Sequence, residues 1–363
     1  MKSSKKYKVP FSCGVEYNGD LYLASVVGND LFKYDLRINE LTYVLSFDKE
    51  KDSGYLYRCA KIYKNQAWFI PQCADNIAIV NLDTKKVDYI QLKFNWKENR
   101  INFKYTTAGI FNKKFLYLVP YDIDTLLVID MDFGEIREYC NIVNSEQKYG
   151  DAFYLNGYLY LIPWTASTAL RLDLENGQAQ PVQWEWKKKD YVRVILDEVN
   201  SEVWFVPAAA SQITVYNWKR QRWNMIQCEG EIENYDVDYI NSIYGEIVND
   251  EIIIFPYNSN YIIIIEKKTR HIKRIKVKDD NRKIFFMKVI DGYHLFAIAE
   301  MSNLLFEYDE KRNDFKRRNV YLTETEKFLN CCSKKIIEKN NQNIIIEEKY
   351  GKELSKYLEC IKN

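Results

Sequence analysis

One unit recurs seven times along this chain. Its full form has a short apolar run, a Pro, a polar loop, a second apolar run and a closing Asp, Asn or Glu. The clearest copies are AWFIPQCADNIAIVN (67–81), FLYLVPYDIDTLLVID (115–130), YLYLIPWTASTALRLD (158–173), VWFVPAAASQITVYN (203–217) and IIIFPYNSNYIIIIE (252–266). Two weaker copies, LYLASVVGNDLFKYD (21–35) and LFAIAEMSNLLFEYD (295–309), carry Ser25 and Ala299 where the others carry Pro. In all seven the closing residue lies ten residues after the Pro position, and successive Pro positions are 43–49 residues apart. A period of that size is the mark of a repeat architecture.

The flanks repeat too. Before each unit lies another apolar run and a turn, as in GVEYNGDLYL (14–23) and AFYLNGYLYL (152–161), where Asn-Gly is a favoured hairpin turn. After it comes a polar turn and an alternating strand, as in DTKKVDYIQL (83–92). A solenoid of hairpins is the alternative, but four strands in meander order per repeat is the composition of a propeller blade. The expectation is an all-β, seven-bladed propeller over residues 1–322, with blades at about 12–47, 58–92, 105–140, 149–184, 191–228, 239–277 and 284–322. Beyond Tyr321 the apolar period lengthens to that of helices. Thr323 and Glu326 fit a capping box, so 323–363 reads as a C-terminal helical hairpin, packed on the propeller or docking a partner. Whether residues 1–11 help to close the ring is left open by the sequence.

In repeat length and strand order, residues 12–322 resemble kelch-type and related bacterial propellers. The kelch double glycine and the Trp-Asp ending of the other large propeller class are both absent. The likeness is one of architecture, and it carries no functional residues across.

Three columns of the repeat have a structural explanation. The closing Asp/Asn column opens the turn between third and fourth strands, where such side chains cap backbone N–H groups. The residue four places after the Pro position is Asn29, Asp75, Asp124, Ser167, Ser211, Asn260 or Asn303. Only two of these seven are acids, so capping is favoured over a metal-binding ring. Eleven residues before the Pro position stand Gly14, Ala60, Gly109, Ala152, Leu196, Gly245 and Lys288, mostly small, as expected where inner strands crowd the channel.

The loop between second and third strands should share a face with the start of each inner strand. That face collects Val26, Gln72, Tyr121, Trp164, Ala208, Tyr257 and Glu300 from the loops. From the strand starts it takes Arg58, Thr106, Tyr149, Asp151, Arg193 and Asn241. Aromatic rings with convergent polar groups suit a ligand site, and the candidates are Arg58, Tyr121, Asp122, Tyr149, Asp151, Trp164, Arg193, Asn241 and Tyr257. Ordinary loop packing with solvated charge is the competing explanation.

Composition trims the functional classes. The 52 Lys+Arg and 51 Asp+Glu nearly cancel, so no nucleic-acid or anionic-membrane surface is expected from net charge. No apolar stretch of the kind a secretory signal needs follows the basic start, none anywhere is long enough for a membrane span, and eight scattered cysteines without a CxxC pair read as reduced thiols in a cytoplasmic protein. With two histidines, neither expected on the ligand face, a His-ligated metal or His-based acid–base pair is disfavoured. No cofactor motif is present. Two readings remain. One is a non-catalytic module for a peptide, glycan or partner protein. The other is a lyase, epimerase or hydrolase working at the channel mouth through Asp, Tyr and Arg.

Overall fold

The computed structural model describes residues 6–51, 54–92, 104–140, 142, 148–164, 166–182, 184, 191–207, 212–228, 242–256, 261–276, 284–290, 294–299, 304–309, 311 and 314–323. Among the described residues seven sheets follow one another along the chain, each built on an antiparallel meander of four strands, and the first is extended to six. The inner strands are Phe11–Tyr17, Tyr57–Tyr63, Tyr105–Phe111, Tyr149–Leu155, Tyr191–Asp197, Ser242–Val248 and Ile284–Ile290. Each inner strand touches the next and the seventh touches the first, so the sheets form a closed ring of seven blades. The helical hairpin expected over 323–363 lies outside the described residues, apart from Thr323 at the end of a strand.

Each blade presents two apolar faces, and the core divides accordingly. Seven clusters of buried side chains fill the seven interfaces between neighbours, and none is central. In four consecutive blades the first inner-strand residue is a tyrosine. Tyr57, Tyr105, Tyr149 and Tyr191 are buried and wedge against the preceding blade.

The turns follow the repeat chemistry. Asn18-Gly19 and Asn156-Gly157 join first and second strands with both residues at positive φ, the geometry that matches strand twist. Asp35 Oδ1 accepts from the N–H groups of Arg37 and Ile38, Asn81 Oδ1 from Asp83 and Thr84, and Asp173 Oδ1 from Glu175 and Asn176. The closing column is a set of turn caps.

The small-residue column needs correction in three blades. Counting back from Pro assumes a two-residue hairpin, which holds where Tyr17 pairs Asp20 and Leu155 pairs Tyr158. The third blade has three turn residues between Phe111 and Phe115, the fifth four between Asp197 and Glu202, the seventh three between Ile290 and His294. The residues in register with Gly14, Ala60, Ala152 and Gly245 are therefore Ala108, Val194 and Met287, not Gly109, Leu196 and Lys288.

Both ends of the described chain close the ring. Lys6–Lys8 pairs antiparallel with Tyr321–Thr323, which pairs in parallel with the outer strand of blade 1 through Leu322 and Leu41. Leu322 and Leu41 are buried in the cluster joining blades 7 and 1. Placing a charge there leaves it buried and unpaired, so Leu322→Asp should lower stability by about 3–5 kcal/mol in urea melts, with the transition broadening as closure is lost.

Candidate functional site

The two ends of the channel differ. At one end, in blades 1 to 4, the backbone N–H after the Pro position reaches the residue just before the inner strand. Val26 donates to the Pro10 carbonyl (2.9 Å), Gln72 to Leu56 (2.8 Å), Tyr121 to Lys104 (3.0 Å) and Trp164 to Lys148 (2.9 Å). The second-to-third-strand loops and the inner-strand starts thus share a face, as expected.

On that face the expected site residues are largely engaged with one another. Lys148 Nζ donates to the Tyr121 carbonyl (2.8 Å) and to Asp122 Oδ1 (2.7 Å), and it lies 4.6 Å from the centre of the Tyr121 ring. Trp164 is 6% exposed and packs against Tyr121 of the preceding blade, ring centres 5.9 Å apart. Tyr149 is fully buried between blades 3 and 4. Arg58 is half-buried at the bulge of its inner strand, while Asn241 and Tyr257 lie outside the described residues. Burial pushes the thiol of nearby Cys13 well above the ordinary range, which opposes thiolate formation at neutral pH.

Asp151 and Arg193 face a different space. A cavity of about 940 Å³ occupies the channel toward the opposite face, walled by the inner strands of blades 3, 4 and 5. Its mouth is framed by turn residues such as Asn112, Asn156, Glu198 and Lys219. Tyr154 and Trp218 supply half-buried aromatic surface, and Ile110 is an exposed apolar residue on the wall.

Asp151 is buried and tightly held. Its Oδ1 accepts from its neighbour's N–H, on Ala152 (2.8 Å), its Oδ2 from the Val194 N–H (2.9 Å), and Arg193 Nη1 stands 3.5 Å from Oδ2. Arg193 also donates to Thr107 Oγ1 (3.3 Å), so the pair ties blades 3, 4 and 5 together. Beside it, Tyr117 donates to the Ala152 carbonyl (2.6 Å), crossing Gly109 where any Cβ would lie 2.1 Å from the hydroxyl oxygen. That crossing requires glycine.

Two wall residues escaped the sequence reading. Lys61 and Glu246 both line the cavity, each as the fifth residue of its inner strand. The usable signal was their shared position ten residues before Pro71 and Pro256, in two blades whose hairpins are of equal length.

No protein-family model matches the chain, and no curated protein matches it. Among solved structures it is similar to virginiamycin B lyase from Staphylococcus aureus, with TM-score 0.61, 11% identity, and coverage of 82% of this chain and 96% of that one. It is similar to a catalytically inactive form of that enzyme with quinupristin, with TM-score 0.59, 13% identity and coverage of 83% and 94%. It also resembles PorZ of the Porphyromonas gingivalis type-IX secretion system, with TM-score 0.62, 13% identity, and 87% of this chain spanning 39% of that one. At such identities the likeness establishes the seven-bladed fold and leaves those proteins' activities their own.

Desolvation raises the pKa of Asp151, against the opposing pull of Arg193, the two N–H groups and Lys61. A carboxyl whose folded-state pKa is raised binds more protons folded than unfolded, so its contribution to stability grows as pH falls toward the ordinary carboxylate value. Urea melts at pH 7 and pH 5 should therefore show wild type gaining relative to Asp151→Asn at the lower pH. The opposite slope would mean that Arg193 outweighs burial. Trp164→Ala, emptying a buried site, should cost about 3–5 kcal/mol.

Proposed function

We propose that this protein is a binding module whose ligand sits in the channel cavity between blades 3, 4 and 5, entering from the face of the first-to-second-strand turns. The observation that carries the reading is a large cavity with an aromatic wall, a fixed acid–base pair and further charges around it. Ligand sites typically occupy about 300–1,000 Å³ and combine apolar walls with a few placed polar groups. Among the described residues of the opposite face, Lys148 already holds Tyr121 and Asp122, and Trp164 is buried. A peptide, glycan or partner-protein segment remains the class of ligand.

A catalytic role in the same cavity would fall to Asp151, the cavity carboxyl whose pKa is raised. Each of its oxygens, however, accepts a backbone N–H bond, and Arg193 stands beside one of them. A carboxylate so held positions blades and neighbours, and it is poorly placed to take a proton from a substrate. The binding reading is favoured on that ground.

Melting-temperature shifts across panels of peptides, oligosaccharides, amino acids and nucleotides test the proposal, alongside Ile110→Trp. Ile110 is exposed on the cavity wall, so a larger ring there fills the space at little cost in stability. At least one class should raise the melting temperature of the wild type and fail to raise that of the variant. Equal shifts in both proteins would place the ligand elsewhere.

A further inference from the structure

Resting on that reading, the cavity's charges narrow the ligand. Asp151 and Arg193 answer each other, and Lys113, Glu198 and Lys219 are exposed at the mouth in contact with water. Lys61 and Glu246 are different. Both are half-buried and line the cavity, and neither has a hydrogen-bond or ion-pair partner among the described residues. Lys61 acts on Asp151 only through its field, so Lys61 and Glu246 both keep hydrogen-bonding capacity that a ligand in the cavity can use.

Their placement is opposed. Lys61 is the fifth residue of the blade 2 inner strand and Glu246 the fifth of the blade 6 inner strand, so both stand at one height in the channel. In a closed ring of seven, blades 2 and 6 are three steps apart, the greatest separation possible. The cavity follows the arc between them through blades 3, 4 and 5, so a cation and an anion stand at its two ends. Lys288 holds the same register position on the inner strand of blade 7.

We infer that the ligand is a zwitterion of short-peptide length, its carboxylate toward Lys61 and its ammonium toward Glu246. A free amino acid is too short to reach both ends of an arc spanning three blades. A tri- to pentapeptide reaches both and sets its side chains against Tyr154, Trp218 and Ile110. The intervening Asp151–Arg193 pair offers hydrogen bonds to the peptide backbone along the way.

Calorimetric titration with a mixed-sequence library of tri- to pentapeptides, free at both ends, tests this, using matched N-acetylated and C-amidated libraries. Free peptides should bind wild type about tenfold or more tightly than either capped form, the range for a lost charged hydrogen bond. Lys61→Met should abolish the preference against the C-terminal amide and keep that against the acetyl group. Glu246→Gln should do the reverse, and near-native melting temperatures in both variants exclude misfolding. Capped and free peptides binding wild type equally would overturn the zwitterion while leaving the binding module intact. Another ligand class binding, in a manner blocked by Ile110→Trp, with no peptide bound would do the same. Binding of no class at all would remove both.

Discussion

A four-stranded sheet with two apolar faces cannot be satisfied by one neighbour, and this protein's architecture follows from that. Each blade needs a partner on both sides, and only a closed ring supplies one to every blade. The interface between blades 4 and 5 alone buries Phe153, Ile162, Tyr191, Val203 and Phe205. At about 1.5–3 kcal/mol per large apolar side chain, opening it forfeits an amount comparable with the roughly 5–15 kcal/mol net stability of a whole domain. The closing contact at blade 1 therefore matters as much as any internal one, and the chain uses both of its described ends to make it.

Closure also explains how polar groups are distributed. With the interfaces filled by hydrocarbon, charges are left at the rims and in the channel, and the rims use theirs to join blades. Asp132, in a blade 3 turn, accepts from Tyr63 (2.8 Å) and Lys64 (2.6 Å) of blade 2. Asp83 of blade 2 accepts from Tyr17 of blade 1 (2.7 Å). Lys267 of blade 6 stands 3.4 Å from Asp197 of blade 5, both buried, while Arg270 reaches Glu202 and lies 4.5 Å from the Trp204 ring centre. Such clasps account for much of the turn-face charge. Against that background Lys61 and Glu246 stand out, because they line the cavity and make no hydrogen bond or ion pair among the described residues.

The fold was legible because its rules are local. A Pro position, a capping acid or amide ten residues on, and Asn-Gly hairpins each dictate their own backbone, and repetition multiplies the signal. The choice of face for the loops was legible for the same reason. What escaped depends on comparisons between blades. Lys61 and Glu246 read in sequence as ordinary polar residues of alternating strands; both lie ten residues before their Pro, but that they border one cavity appears only in the closed ring. Trp164 and Tyr149 read as rim residues because a position beside a channel says nothing of which way a ring turns. Lys148, the residue that occupies Tyr121 and Asp122, sits before its strand where no repeat pattern marks it.

The pairing of Lys6 with Thr323 has a topological meaning. The two ends of the described chain are neighbours in one sheet, so the ring has a seam where the peptide is interrupted and the architecture is not. Joining those ends by a short linker and opening a hairpin elsewhere, such as Asn156-Gly157, would give a circular permutant with the same seven interfaces and the same channel. Sequence order in this protein is a matter of where the circle is cut.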